Sequence, residues 1–367
     1  LRVEAGINDY RHTEFEPGGE PGTRFENDAW ESRIELVHDL GDWQGVAGAQ
    51  YLDRDFEAVG EEAFVPQTDT RSLGLFLLEE KRYDELRFSI SARYETMEHN
   101  PSIPADNYDE DAGSLAVGFV WDNGQKLLPS LSLSYTERHP KTEELYSDGP
   151  HLATGLFEIG DPSLNKESNK SVDLGLRYRG ERIRWGASVF YKAAGDYIYL
   201  RNTGAEEDDL PVAVYTQDDA IFYGYEAELE THLAQTAQGD LDLRLWSDFV
   251  RGQLDERRDG SDDLPRMPPQ RFGAELGWLA NRWSASVEWT RYMKQSKVAD
   301  FERTTGAYTM LNAGFLVGVD FGPGHLDLFL RGTNLLDEPA RRHPSFLKDY
   351  APLPGRSVHA GARFHFL

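Results

Sequence analysis

Cysteine is absent from the 367 residues. Disulfides and thiolate metal sites are therefore excluded, and an oxidising envelope compartment is suited. Equally absent is any run near the roughly 18–20 consecutive apolar residues that a membrane helix needs, and the mean hydropathy is −0.59. That excludes a helical membrane protein but not a membrane β-barrel, whose alternating strands never look hydrophobic on average. Positive charge is scarce as well. Lys and Arg number 38 against 64 Asp and Glu, giving a net charge of −26. Nothing here neutralises phosphates in bulk, so nucleic acid is not an expected partner, whereas a cation-attracting surface fits. The sequence holds no Gly-x-Ser-x-Gly elbow, no His-Glu-x-x-His and no phosphate-cradling Gly loop, so it does not read as an enzyme.

What is present is alternation with a period of two, from end to end. Leu86, Phe88, Ile90, Ala92 and Tyr94 share one face, and Arg87, Ser89, Ser91, Arg93 and Glu95 the other. The pattern returns in Leu115, Val117, Phe119 and Trp121, then in Val172, Leu174, Leu176 and Tyr178. Ile183, Trp185, Ala187, Val189 and Tyr191 continue it, as do Trp283, Ala285, Val287 and Trp289. The last segment sets Val358, Ala360, Ala362, Phe364 and Phe366 opposite His359, Gly361, Arg363 and His365. About sixteen such segments occur, most near the 9–11 residues of a tilted membrane strand. Short turns are expected near Gly41-Asp42, Tyr83-Asp84, Asn123-Gly124, Gly180-Glu181, Ala280-Asn281 and Gly322-Pro323. Between them stand long polar loops near 52–70, 99–111, 138–166, 201–218, 252–269 and 336–356. Segregation of short and long connections is a property of outer-membrane barrels.

Trp43, Trp121, Trp185, Trp278 and Trp283 all stand beside short turns on the apolar phase, where an interfacial aromatic girdle belongs. The opposite phase is too polar for a packed interior. Glu226, Glu228 and Glu230 form one row, with Asp242, Arg244, Trp246 and Asp248 in the next segment. Buried in an apolar core, such charges cost several kcal/mol each unless paired. A wide wet lumen removes that cost, and the fold class expected is an all-β transmembrane antiparallel β-barrel occupying residues 1–367.

Three stretches resemble the TonB-dependent outer-membrane receptor family. One is Asn334-Leu335-Leu336-Asp337-Glu338-Pro339, followed by Tyr350 to Arg356 and a last strand ending at Phe366-Leu367. Another runs from Ser134-Tyr135-Thr136-Glu137-Arg138 through Pro140 to Glu144-Leu145-Tyr146. The third, Gly149 to Gly155 and Phe157 to Leu164, is similar to the zinc-uptake branch. The extra Leu367 departs from the family's usual aromatic ending. The resemblance implies a barrel of about 22 strands filled by an N-terminal plug that carries the TonB box. Sixteen segments with neither plug nor box lead to the expectation that the plug and roughly six leading strands precede Leu1. It further implies an outer-membrane receptor for a scarce nutrient, in contact with outer-membrane lipid and with the TonB complex through the plug. A sixteen-stranded diffusion porin, or a receptor for a siderophore or other metal chelate, remains open.

The candidate substrate site is the 138–166 loop, with His139, Glu143, Glu144, Asp148, His151, Glu158 and Asp161. Imidazole with carboxylate is a natural donor set for zinc, here the transported substrate rather than a cofactor. His99, Asp106, Asp109 and His343 lie on other loops that converge over the mouth. His359 and His365 are expected to face the plug, and His12 and His38 to be lumen or interface residues. Asp255, Asp259, Asp262 and Asp263 around Arg257-Arg258 lack the order of a calcium loop and read as solvated charge.

Overall fold

A computed structural model of the chain describes residues 1–15, 19–60, 63–255 and 260–366. Asp259, Arg257, Arg258 and Leu367 lie outside the described residues. Among those described, eighteen strands and one short helix occur. The strands begin with β1 (Arg2–Phe15), β2 (Pro21–Leu40), β3 (Trp43–Val59), β4 (Thr68–Tyr83), β5 (Leu86–Pro101), β6 (Tyr108–Trp121) and β7 (Leu127–Arg138). Helix α1 (Thr142–Tyr146) and a small hairpin, β8 (Asp148–His151) and β9 (Leu156–Ile159), follow. Then come β10 (Glu167–Arg179), β11 (Ile183–Glu207), β12 (Leu210–Thr236), β13 (Gly239–Leu254) and β14 (Arg271–Leu279). The chain continues with β15 (Trp283–Tyr292), β16 (Tyr308–Phe321), β17 (Gly324–Thr333) and β18 (Ser357–Phe366).

Apart from β8 and β9, which are four residues each, every strand is antiparallel to its neighbour in the chain, β7 being joined to β10 across the loop. No pairing joins β1 to β18 among the described residues, so the barrel-like sheet is open along that seam. The turns at one end are two to five residues long, as at Gly41-Asp42 and Gly322-Pro323. Gly41 and Gly322 have φ of +69° and +58°, a conformation that L side chains adopt at a cost and glycine does not.

Register fixes one continuous outward face. Leu115, Val117, Phe119 and Trp121 pair with Ala92, Ile90, Phe88 and Leu86. Val172, Leu174, Leu176 and Tyr178 pair with Tyr191, Val189, Ala187 and Trp185. Val189 and Val287 are about half exposed, at 52% and 49%, because the environment that covers this phase is lipid. The five expected tryptophans all lie on it, and Trp278 stacks on Trp283 at 6.3 Å. On the inward phase Glu226, Glu228 and Glu230 meet Asp248, Trp246 and Arg244. Arg244 reaches Glu228 at 2.8 Å, and a cavity of about 1220 Å³ is lined there by Arg177, Arg184, Glu226, Glu228 and Asp248. The phase assignment has a direct check. Val189→Arg or Val287→Arg should cost about 2–4 kcal/mol at the bilayer midplane, while Ser188→Arg or Ser286→Arg should cost far less. Urea titration of the intact receptor folded in lipid measures both, and equal costs would contradict the assigned facing.

At the other end several expected loops are shorter than 52–70 and 99–111 suggested, since β3 runs to Val59, β4 begins at Thr68, β5 runs to Pro101 and β6 begins at Tyr108. Residues 201–218 are not an irregular loop. The β11–β12 ladder runs on through Arg201↔Val214 and Glu207↔Leu210, turning at Asp208 and Asp209. Beyond the bilayer both faces are wet, so a ladder there needs no alternation. A connection absent from the sequence reading, 293–307, is a long loop. The buried apolar clusters also sit at this end. Tyr108, Leu145, Tyr146, Leu164 and Ile198 form one, and Ala194, Tyr199, Ala220, Leu254 and Leu264 another. The hydrophobic core of this protein is thus in its cap, while the sheet below is solvated by lipid and water.

Candidate functional site

The 139–166 loop folds on itself and then onto the wall. Lys141 N–H donates to Glu144 Oε2 at 2.8 Å, capping α1, and Leu145 and Tyr146 are buried. Gly160 passes so close to the Leu145 carbonyl that a Cβ would collide with backbone, and its N–H bonds Ser147 O at 2.6 Å. The β8–β9 hairpin closes through Gly155, at φ +67°. Strand β9 then adds in parallel to the outer arm of β12, through Phe157↔Val212 and Ile159↔Val214.

This folding brings His151 and Glu158 together. His151 Nδ1 lies 3.0 Å from Glu158 Oε1, and its ring stacks on Phe64 at 4.0 Å. Glu158 is 2% exposed and also accepts from Thr154 Oγ1 at 2.7 Å and Tyr215 OH at 3.1 Å. Burial pushes its carboxyl up, but His151, Thr154 and Tyr215 outweigh that and hold it below the usual range. A second cluster joins His139 and His99. Tyr108 OH and His139 Nδ1 are 2.8 Å apart. His99 contacts Thr70 Oγ1 at 2.9 Å and the Pro140 carbonyl at 3.2 Å. Both imidazoles are buried above the lipid-facing belt, His99 in the extension of β5 and His139 just past the end of β7. Burial pushes both down, His99 to about 4, so both are neutral at physiological pH.

The remaining carboxylates are separate. Glu144 grips Arg138 with both oxygens, at 2.8 and 3.2 Å. Arg138 Nε also donates to Glu167 at 2.9 Å, and Glu167 accepts the Ile198 N–H at 2.6 Å. Asp161 accepts the Ser163 N–H and hydroxyl at 2.8 and 2.6 Å. Glu143 meets Thr142 at 3.3 Å, and Asp148 is exposed. Asp106 offers its backbone carbonyl to Tyr146 OH, and Asp109 is exposed opposite Glu98. Among the described residues, no three His, Asp or Glu side chains converge so as to hold a metal ion.

His343 belongs to a network that sequence reasoning missed. Glu302, on the 293–307 loop, lies 3.1 Å from His343 Nε2 and 2.5 Å from Lys348 Nζ. It also accepts the backbone N–H groups of Arg266 at 3.0 Å and Ala299 at 3.2 Å. His343 is fully buried, with Nδ1 3.0 Å from Thr305 Oγ1. One carboxylate therefore ties three loops together. Burial pushes Glu302 up, but His343 and Lys348 overcome this and hold it at about 2. The one available signal was the break in alternation from Lys294 to Gly306.

Residues 4–335 match the family model described as TonB dependent receptor-like, beta-barrel. Among solved structures, the copper transporter OprC superposes with a TM-score of 0.80 at 17% identity, over 100% of this chain and 61% of that one. The FrpB iron transporter from Neisseria meningitidis (F3-3 variant) gives 0.70 at 13%, over 95% and 56%. The ferric enterobactin receptor PfeA gives 0.70 at 13%, over 99% and 59%. At these identities the likeness is one of fold, and the chain spans about three fifths of their length.

Proposed function

This chain belongs to the TonB-dependent receptor-like β-barrel family of the bacterial outer membrane, and from that premise we propose that it forms the barrel of a receptor importing a metal-bearing cargo with energy supplied through TonB. One observation carries the reading: the loops at the long-connection end are built into a cap with its own buried cores. A passive pore has no use for loops tied to one another across 293–307 and 334–356. Copper, iron and ferric enterobactin name the three similar structures above, which makes a metal the natural cargo.

Zinc, or a zinc complex, is the finer reading, resting on His139 and His151. His151 already has a carboxylate beside it, and zinc would need both groups deprotonated. A second reading is favoured by the engagement of Glu144, Glu158 and Asp161 in internal bonds. The cargo then arrives as a complex whose chelator supplies the donors.

One uptake experiment tests the proposal. Cells carrying the intact receptor should accumulate the metal only when TonB is functional. If the two histidines ligate zinc, wild-type uptake should fall as pH drops through the imidazole range, and the double variant His139→Ala, His151→Ala should lose most zinc uptake above that range. Uptake independent of TonB would replace the receptor by a porin. TonB-dependent uptake indifferent to both histidines would remove them as zinc ligands.

A further inference from the structure

The lipid-facing phase has one polar break near the short-turn end. On the strands that meet a short turn, the last three outward positions are otherwise free of Lys, Arg, His, Asp and Glu among the described residues. Trp121, Trp185, Trp278 and Leu326 are typical of them. The exceptions are His38 on β2 and Glu79 and Lys81 on β4, and they lie together. Register sets His38 opposite Gly45 and Gly45 opposite Glu79. Lys81 stands between Trp43 and Phe88. All three therefore share the outward phase of Leu36, Ala47 and Leu77.

Gly45 makes their meeting possible. With no side chain between them, His38 Nε2 comes within 2.9 Å of Glu79 Oε1 across β3. A Cβ at Gly45 would collide with the Leu78 carbonyl and with both of these side chains. Lys81 Nζ lies 4.6 Å from the ring centroid of Tyr83 and 5.4 Å from that of Trp43. It is also 3.5 Å from Asp42 in the turn. The His38, Glu79 and Lys81 side chains keep 20%, 17% and 18% of their surface open. A rise of about 3.3 Å per residue on strands tilted by about 40° puts them within about 10 Å of the turns. That is the depth at which the polar layer of a bilayer gives way to hydrocarbon, and Trp43 and Tyr83 mark the same level. Water is scarce there, so an unmatched charge is costly.

We propose that this notch docks the headgroup of a zwitterionic phospholipid in the periplasmic leaflet, one carrying both a phosphate and a primary ammonium. Lys81 donates to the phosphate, Glu79 accepts from the ammonium, and His38 holds the Glu79 carboxylate in place. Charge-assisted bonds of this kind are the strong ones. Trp43 and Tyr83 supply apolar faces for the glycerol and the upper acyl chains. The presence of both signs of charge selects the lipid class. A purely anionic headgroup would meet Glu79 and Asp42 as repulsion, and a quaternary ammonium would offer Glu79 no N–H. The inference concerns the outer wall and is independent of the cargo.

The test offers the intact purified receptor an equimolar mixture of phosphatidylethanolamine, phosphatidylcholine and phosphatidylglycerol, and counts retained lipid by native mass spectrometry. Phosphatidylethanolamine should be retained in preference to both others. Glu79→Gln and Lys81→Met should each lower its retention about fivefold or more. Glu80→Gln, one residue away on the inward phase, should leave it unchanged. Heat-modifiable migration of each variant separates loss of binding from loss of fold. Equal retention of all three lipids, or a preference that survives both variants, would overturn the assignment. So would a preference for phosphatidylglycerol lost only in Lys81→Met, since the notch would then read phosphate alone. A photo-crosslinker in place of Leu36, one outward position deeper than His38, should label phospholipid in living cells. Labelling of a second protein instead would give the notch to a protein partner.

Discussion

Replacing Glu302 by Gln is expected to release three loops at once while leaving the barrel folded. The carboxylate accepts from Lys348 at 2.5 Å and faces His343 at 3.1 Å, and those side chains are 7% and 0% exposed. Removing one partner of a buried ion pair strands the other, at a cost of about 3–5 kcal/mol. The amide retains the shape, so the loss is electrostatic rather than a cavity. Hydrogen exchange should show amides in 293–307 and 334–356 opening a hundredfold or more faster, with the strands unchanged. Equal protection in both proteins would mean that the latch is held by packing alone. The same carboxyl sets a pH dependence. Its folded value, about 2, lies below the ordinary glutamate value, so its contribution is fully present above that ordinary value. It is lost as pH falls from about 5 through 2, and amounts to on the order of 3 kcal/mol. Loop protection in wild type should decline across that window, and in Glu302→Gln it should not.

The second large effect is expected at Arg138. Its guanidinium stands between Glu144 and Glu167, whose side chains are 13% and 5% exposed. Burial lowers the Arg138 pKa, but the hydrogen bonds to Glu167 and Glu144 raise it well beyond the ordinary range. Arg138→Met leaves two carboxylates facing each other in a half-dry site, again about 3–5 kcal/mol. The β8–β9 hairpin should then detach from β12 and become accessible to protease between 148 and 159. Adding Glu167→Gln to Arg138→Met should recover a substantial part of the loss, because the like-charge repulsion disappears. The nearby Lys166–Glu137 pair gives the contrast. Lys166 is about one third exposed, so Lys166→Met should cost less than about 1 kcal/mol. If Arg138→Met proved as mild as Lys166→Met, the hub would carry no structural weight.

Both hubs were invisible in the sequence, and the barrel was not. Between lipid and lumen each residue has one of two environments, so Val189 beside Ser188 already declares its facing, and a two-residue turn at Gly41-Asp42 sets the next register. Above the bilayer that constraint lapses. Residues 201–218 pair as strands on either side of a bulge at Asn202/Glu206, but most of their side chains lie outside the lipid belt, which is why polarity alone suggested a loop. The cap is harder still. Glu302 and Lys348 are 46 residues apart, and nothing local to either announces the other. His139, His151 and Glu158 were legible as residues of the right chemistry. Their arrangement, with His151 on Glu158 and His139 on Tyr108, depends on β9 docking against β12.

The order of the strands has a mechanical consequence. Apart from β9 on β12, each long strand is bonded only to the strands on either side of it in the sheet, so a load applied along the chain meets its hydrogen bonds strand by strand rather than together. A sheet loaded this way unzips at low force, in steps of one strand, like a row of repeats whose interactions are all nearest-neighbour. The loop latches break that pattern. Glu302 binds the segment after β15 to the one after β17 and so spans more than one step, and Arg138 reinforces the β7–β10 step and ties α1 to it. Under tension these are the places where resistance would accumulate, and the cap rather than the wall would set the force at which the fold gives way.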